Sequence, residues 1–258
     1  MIHPRRLLAA RTPAGAPVNV AWLTAFLDYR PASFDAGAGF WAAVSGSTLS
    51  PARGEHGEFA TLLPPTGDPW LRLQRLQSAA PARVHLDLHA HDPAALRGIA
   101  EGLGAVLQHE SGFASYTSPG GLPFCVVGAH DSVRGRAVPW GRHRSAVDQV
   151  CLDVPHGRWE QEAEFWSSLL GLPGHDVGPE FRRLDVPDEV SLKVLLQRRD
   201  DDEGPVRAHL DLATDDPAAE VERVRGLGAA YLHDGAEWTT LGDPTGLEFC
   251  VTDRRPTA

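Results

Sequence analysis

Hydrophobic and polar positions in the second half of the chain predict short strands and two amphipathic helices. Residues 146–154 alternate between aliphatic and polar side chains, the period-two pattern of a half-buried strand. Residues 158–170 carry apolar side chains at helical spacing, and Gly171 follows as the expected end of that helix. A strand and then a helix therefore open this half.

The rest of this half repeats the order. Asp216 and Pro217 predict the start of a second helix as N-cap and first-turn proline, and Gly226 or Gly228 ends it. The remaining strands are predicted over 190–197, 209–213, 229–232, 238–241 and 247–252. Together with two less regular strands after the first helix, the pattern is a strand, a helix and three strands, repeated once.

The chain also repeats itself on a larger scale. Residues 83–105 and 207–229 are identical at 13 of 23 positions, at an offset of 124. This period is far longer than that of a solenoid, so we expect two copies of one domain. The predicted division is an N-terminal tail, a first domain, a linker, a second domain and a C-terminal tail, over 1–17, 18–129, 130–145, 146–253 and 254–258.

The alternation also sorts the strand faces. Leu210 and Leu212 point to one side of their strand, while His209 and Asp211 point to the other. The polar side is unsuited to an ordinary core, although the strand reads as central. We therefore expect an α+β fold of paired βαβββ modules, in which curved mixed sheets carry helices outside and a polar concave pocket inside.

Composition and charge narrow the classes of function. Hydrophobic residues make up 42% of the chain and the net charge is −10, which argues against binding through nucleic-acid phosphates. No segment is long and apolar enough for a membrane span, and residues 1–17 lack the apolar core of a signal peptide. Three widely spaced cysteines predict neither a disulfide framework nor a zinc knuckle. We expect a cytoplasmic protein, monomeric or a loose homodimer, whose partner is a small molecule.

Several motifs carry a family resemblance. HLDL, GLGA and DPTGLEFCV, with FWSSLLG after the first strand of the second copy, resemble the glyoxalase, bleomycin-resistance and extradiol-dioxygenase group, the vicinal oxygen chelate superfamily. The resemblance covers about residues 18–128 and 146–253, and it implies the same paired βαβββ fold.

The resemblance implies a divalent-metal site in the second copy. Its ligands would be His209, Glu248 and Gln149, and Glu248 would also serve as a catalytic base. Nitrogen and carboxylate donors suit Zn, Ni, Mn or Fe. A dioxygenase triad of two histidines and one carboxylate would lack its second histidine. Other residues expected to line a ligand pocket are Cys151, Asp211, Gln197, Trp238 and, in the first copy, His85.

The first copy departs from the pattern. Thr24 and Pro123 stand at the positions of Gln149 and Glu248, so we expect its site to be degenerate. His89 and His91 share a strand face with His85 and could form a histidine cluster; alternatively, His91 begins the turn into the helix and points to solvent.

Two functions remain open. One is a metal-dependent isomerase or lyase of glyoxalase type that acts on a small oxygen-rich metabolite in the second copy. The other is a metal-free protein that binds a small molecule, as antibiotic-sequestering members of the superfamily do. In the second case His209 would be a pocket histidine that pairs with a nearby carboxylate.

Overall fold

The first copy forms one mixed sheet with two helices. The computed structural model describes residues 19–78, 80–110 and 113–256. Its first ten elements are β1 (Trp22–Tyr29), α1 (Phe34–Ser45), β2 (Thr48–Leu49), β3 (Phe59–Leu63), β4 (Leu71–Arg75), β5 (Arg83–Ala90), α2 (Pro93–Gly102), β6 (Val106–Glu110), β7 (Ala114–Thr117) and β8 (Pro123–Gly128). The sheet order is β2-β3-β4-β1-β5-β8-β7-β6.

The second copy repeats this arrangement. Its elements are β9 (Val138–Pro139), β10 (Arg144–Pro155), a short 3-10 helix (His156–Arg158), α3 (Trp159–Leu170), β11 (Gly174–Asp176), β12 (Phe181–Leu184), β13 (Lys193–Arg199), β14 (Arg207–Thr214), α4 (Pro217–Gly226), β15 (Ala230–Asp234), β16 (Trp238–Gly242) and β17 (Glu248–Thr252). The sheet order is β11-β12-β13-β10-β14-β17-β16-β15, and β9 pairs with the start of β10. The predicted fold of four βαβββ modules in two copies is confirmed.

Local sequence explains where the helices begin and end. The Asp216 side chain accepts the backbone N–H of Ala219 and caps α4, and Asp92 caps α2 in the same way. Gly171 adopts a left-handed conformation, with φ of 68°, and ends α3. None of the helices in the described part of the chain is long and apolar enough to span a membrane.

One strand begins later than the sequence predicts. The segment predicted as strand from residue 190 forms β13 only from Lys193, because Val190 closes a turn onto Pro187. Ser191 then pairs with the first copy instead of the sheet: its hydroxyl donates to the Leu23 carbonyl and accepts the Leu23 N–H. A contact between the copies, invisible to local periodicity, therefore sets this boundary.

Aromatic side chains join the two copies. Phe40 and Trp41 on α1 pack against Phe249 on β17, with ring centroids 5.7 and 5.3 Å away. Trp166 on α3 packs against Phe124 on β8, with centroids 5.5 Å apart. The first helix of each copy thus covers the last strand of the other, and the two sheets share one apolar core.

Two buried carboxylates accompany these aromatic contacts. Asp243 accepts hydrogen bonds from the Tyr29 hydroxyl, at 2.6 Å, and from Trp41 Nε1, at 3.1 Å. Burial and the neighbouring Asp243 raise the pKa of Tyr29 well above 10, which keeps its hydroxyl a donor. Glu162 on α3 accepts the Ser118 hydroxyl and Trp166 Nε1, each at 2.9 Å. Each carboxylate therefore accepts donors from the first copy.

Equivalent positions of α1 and α3 explain why both carboxylates belong to the second copy. Gly37 of α1 aligns with Glu162 of α3 in the repeat. A Cβ atom at Gly37 would lie 2.5 Å from the ring of Tyr29, so only glycine leaves room for that ring. Where α3 packs on the first copy, the buried carboxylate lies on the helix itself, at Glu162. Where α1 packs on the second copy, it lies in the turn before β17, at Asp243.

We predict that Asp243→Asn lowers the free energy of unfolding by about 2–4 kcal/mol. One carboxyl oxygen of Asp243 accepts from Tyr29 and Trp41, and the other accepts from backbone amides of the turn. The amide nitrogen of asparagine cannot accept, so one of these two sets of donors loses its acceptor. Urea unfolding measures the change. The control is Asp234→Asn, because Asp234 makes comparable bonds in an exposed position, and its expected cost is below about 1 kcal/mol. Equal effects at both positions would contradict the account.

Candidate functional site

Each copy contains a cleft, and a third cavity lies between the copies. The cleft of the first copy has a volume of about 570 Å³, and that of the second about 260 Å³. The interdomain cavity, of about 320 Å³, is lined by residues of both copies. The two clefts lie on the polar strand faces that the alternation predicts.

His209 lines both the second cleft and the interdomain cavity. It stands on β14 directly opposite Cys151 on β10. Its Nδ1 lies 3.0 Å from an Asp153 oxygen, and its Nε2 lies 3.3 Å from an Asp211 oxygen. The Gln149 amide donates to the other Asp211 oxygen at 2.5 Å. His209 is therefore held between two carboxylates, and Gln149 fixes the orientation of one of them.

These carboxylates change the protonation of His209. Burial lowers the pKa of His209, but the charges and hydrogen bonds around the ring outweigh burial and raise it well above 6.5. Burial raises the pKa of the neighbouring Cys151 thiol to about 12, so that group is neutral near pH 7. With the Cys151 thiol neutral, the imidazolium is favoured by the charge of Asp153 and by the hydrogen bonds of the ring to Asp153 and Asp211.

The second cleft brings most of the predicted residues together. Around His209 it is lined by the predicted residues Gln149, Cys151, Gln197, Asp211 and Trp238. Sequence reasoning missed Phe181, because this residue lies on one of the less regular strands. Its ring packs edge-on against that of Trp238, with ring centroids 5.6 Å apart. The cleft is also lined by Arg183, Arg254, Glu237 and Asp253.

Glu248 does not join this group. The parallel register of β14 and β17 pairs Asp211 with Cys250, which leaves Glu248 as the exposed first residue of β17. Its side chain lines the interdomain cavity, together with Asp153 and His209, instead of the second cleft. The expected convergence of Gln149, His209 and Glu248 in one cleft is therefore corrected: Cys250 takes the place beside Asp211.

Three groups of side chains in the described residues could hold a metal ion. They are His209 with Asp211 and Cys250, His209 with Asp153 and Cys151, and His85 with Asp87 and Cys125. Within each group one donor atom per residue lies within 4.8 Å of the others. Nitrogen, carboxylate and thiol donors suit Zn²⁺ and similar ions, and three protein ligands leave a position for substrate.

The first cleft repeats the histidine arrangement. His85 Nδ1 lies 2.8 Å from an Asp28 oxygen, and His85 Nε2 lies 3.9 Å from Asp87. Sequence reasoning missed Asp28 and Asp87. The signal was present in the repeat, since HLDL occurs at 85–88 and 209–212 and Asp28 aligns with Asp153.

The other predicted residues of the first copy have different surroundings. The Thr24 hydroxyl contacts His89 Nε2 at 2.9 Å, so Thr24 binds a histidine of its own copy. Pro123 lines both the first cleft and the interdomain cavity. His91 is exposed just after β5, whereas His89 is buried, so the alternative with His91 at the surface agrees with the structure and a three-histidine cluster does not form.

Comparisons with known proteins agree with this fold. The Mn(II)-bound glyoxalase from Novosphingobium aromaticivorans is similar at 20% identity and a TM-score of 0.61, covering 91% of this chain and 82% of that one. The 2,2',3-trihydroxybiphenyl 1,2-dioxygenase from Sphingomonas wittichii strain RW1 is similar at 14% identity and a TM-score of 0.58, covering 93% and 92%. No curated protein sequence matches the chain. The fold is that of the vicinal oxygen chelate class.

The family follows from a match within the chain itself. The model of the glyoxalase-like domain matches twice, over residues 24–127 and 149–252. The chain therefore belongs to the glyoxalase-like domain family, as a tandem of two such domains.

We predict that His89 makes the protein less stable in acid. Burial, followed by Arg72 and His130, lowers the pKa of His89 from 6.5 to about 4. Between these pH values the unfolded chain binds a proton that the folded chain does not. As far as His89 is concerned, the free energy of unfolding is therefore highest above pH 6.5. It decreases as the pH falls, by about 2 kcal/mol between pH 7 and pH 5.

Urea unfolding at pH 7 and pH 5 tests this effect. His89→Gln should lose that part of the pH dependence, while the control His91→Gln, two residues away and exposed, should keep it. An unchanged pH dependence in His89→Gln would show that His89 does not titrate in this way.

Proposed function

We propose that the second cleft is a divalent-metal site of an isomerase or lyase that acts on a small oxygen-rich metabolite. The ligands would be His209 Nε2, an Asp211 oxygen and Cys250 Sγ. One observation carries the proposal: Asp153 binds Nδ1 of His209 and leaves Nε2 facing Asp211, and Cys250 belongs to the same donor group. A carboxylate on the second ring nitrogen is the usual partner of a metal-bound histidine.

The distances among the donors fit such a site. The 3.3 Å between His209 Nε2 and the Asp211 oxygen is close to the separation of two ligands that share one tetrahedral ion with bonds of about 2 Å. Gln149 donates to the oxygen of Asp211 that does not face His209, so it holds the carboxylate in place. This role differs from the direct ligation that the family resemblance implied for Gln149.

The chemistry follows from the donor set. A divalent metal bound here would act as a Lewis acid on neighbouring oxygens of the substrate. Asp153 would keep the proton of His209 on Nδ1, and Phe181 and Trp238 would pack against the substrate and exclude water. The donor group contains one histidine, so isomerase or lyase chemistry fits better than the two-histidine triad of a dioxygenase.

A metal-free binding protein is the second candidate, and one observation favours it. Both ring nitrogens of His209 face carboxylates, so the protonated ring is satisfied without an ion. The second cleft would then bind its ligand through the polar side chains that line it. Metal binding at neutral pH separates the two candidates.

Metal content is the direct test. We expect protein purified without chelator to bind one equivalent of Zn²⁺ or Mn²⁺ by elemental analysis and titration calorimetry. The first cleft has its own histidine, aspartate and cysteine group, but the three arginines that line it, Arg53, Arg72 and Arg83, repel a cation there. Asp211→Asn and Cys250→Ser should weaken binding at least about tenfold, as loss of a ligand does. The matched control is Glu248→Gln, a carboxylate on the same strand as Cys250 that lies outside the donor group, and it should bind as the wild type does.

Two outcomes would overturn the proposal. Absence of metal binding by the folded wild-type protein would leave the metal-free candidate. Loss of binding in Glu248→Gln with retention in Asp211→Asn would return the site to the ligands that the family resemblance implied.

A further inference from the structure

The first cleft differs from the second in its charge. Three arginines from different elements line it: Arg53 before β3, Arg72 on β4 and Arg83 at the start of β5. Among its described lining residues the one carboxylate is that of Asp87. The second cleft is lined by two arginines and three carboxylates. Duplication has therefore produced one clearly cationic cleft.

Arg72 differs from the other two arginines in its lack of a hydrogen-bond partner within the described part of the chain. Arg83 donates to Asp28 at 2.9 Å, and Arg53 donates to the Ser50 hydroxyl at 3.2 Å. Among the residues that the structure describes, Arg72 makes no side-chain hydrogen bond and has no carboxylate within 4 Å; its Nε is buried without a partner, and the charge of Asp87 attracts it only from further away. Burial lowers the pKa of Arg72, although the group stays charged at neutral pH. A half-buried cation without a partner costs free energy unless an anion joins it.

Flat rings lie beside this cation. Phe26 stacks on His85, with centroids 4.6 Å apart and an interplanar angle of 11°. Phe59 meets Phe26 edge-on at 6.2 Å, and the Arg72 guanidinium lies 5.9 Å from the centre of the Phe26 ring. Phe113, which is 41% exposed, also lines the cleft. These rings offer a planar ligand an apolar surface next to a positive charge.

The repeat isolates what Arg72 contributes. In the register of β1 and β4, Arg72 pairs with Phe26; in that of β10 and β13, Leu195 pairs with Cys151. The first copy therefore carries an arginine and a phenylalanine where the second carries a leucine and a cysteine. Both clefts share a histidine whose Nδ1 binds an aspartate, His85 with Asp28 in the first and His209 with Asp153 in the second.

We propose that the first cleft binds a small aromatic carboxylate, whose carboxylate pairs with Arg72 and whose ring packs against Phe26 and Phe59. The planar guanidinium matches a carboxylate through two parallel hydrogen bonds. A volume of about 570 Å³ accommodates a single-ring ligand. This site is separate from the proposed metal site, and its occupation does not depend on a metal.

Titration calorimetry with benzoate, in buffer that contains EDTA, tests the proposal. We expect one benzoate per chain and no measurable binding of benzamide, which has the same shape without the charge. Cyclohexanecarboxylate, which keeps the charge without the flat ring, should bind more weakly than benzoate. Chelation prevents a metal in the second cleft from holding the carboxylate.

Three variants localise the site. Arg72→Leu, the residue of the second copy, and Arg72→Gln should each raise the dissociation constant for benzoate at least about tenfold. Both should stay folded, because neither breaks a hydrogen bond or a close ion pair among the described residues, and thermal unfolding checks this. Arg183→Leu is the matched control, since Arg183 lines the second cleft, and its affinity should equal that of the wild type.

Several results would overturn the proposal. They are benzoate binding that is absent from the wild type, equal binding of benzamide and benzoate, unchanged affinity in folded Arg72 variants, or a loss in Arg183→Leu that matches the loss in Arg72→Leu. Equal binding of cyclohexanecarboxylate would also contradict it, because the flat ring would then contribute nothing.

Discussion

The packing of each copy's first helix against the last strand of the other copy is the constraint on which the rest of the structure depends. Each first helix covers the last strand of the other copy, and Asp243 and Glu162 accept buried hydrogen bonds at these contacts. A buried carboxylate without donors would cost several kcal/mol, so these contacts tie the stability of one copy to that of the other. The helices thereby cover the apolar faces of both sheets and leave the polar faces open as clefts.

Because both polar faces are free, the duplicated framework supports two different sites. A histidine between two aspartates occurs in each cleft, as His85 and as His209. The side chains around them have diverged: Arg72 and Phe26 stand in one cleft where Leu195 and Cys151 stand in the other. The first copy keeps the donor group of His85, Asp87 and Cys125 but surrounds it with arginines, so its cleft suits a different ligand from that of the second copy.

Local patterns could predict the fold, whereas only strand register could predict the site. Alternation, the Asp216 and Gly171 signals and the internal repeat predict the elements, because these depend on neighbouring residues. Glu248 shares a strand face with Cys250, and alternation alone cannot tell which of the two lies beside Asp211. Arg72 lies on a short strand whose pairing with β1 no local pattern reveals. Pairing between distant strands decides both questions.

The anomalous scattering of Mn²⁺ in crystals of the metal-loaded protein tests the central claim most directly. We expect a single strong peak within bonding distance of His209 Nε2 and the Asp211 carboxylate, with Asp153 still on Nδ1. A peak at Glu248, or no peak at the second cleft in crystals soaked in Mn²⁺, would contradict the account.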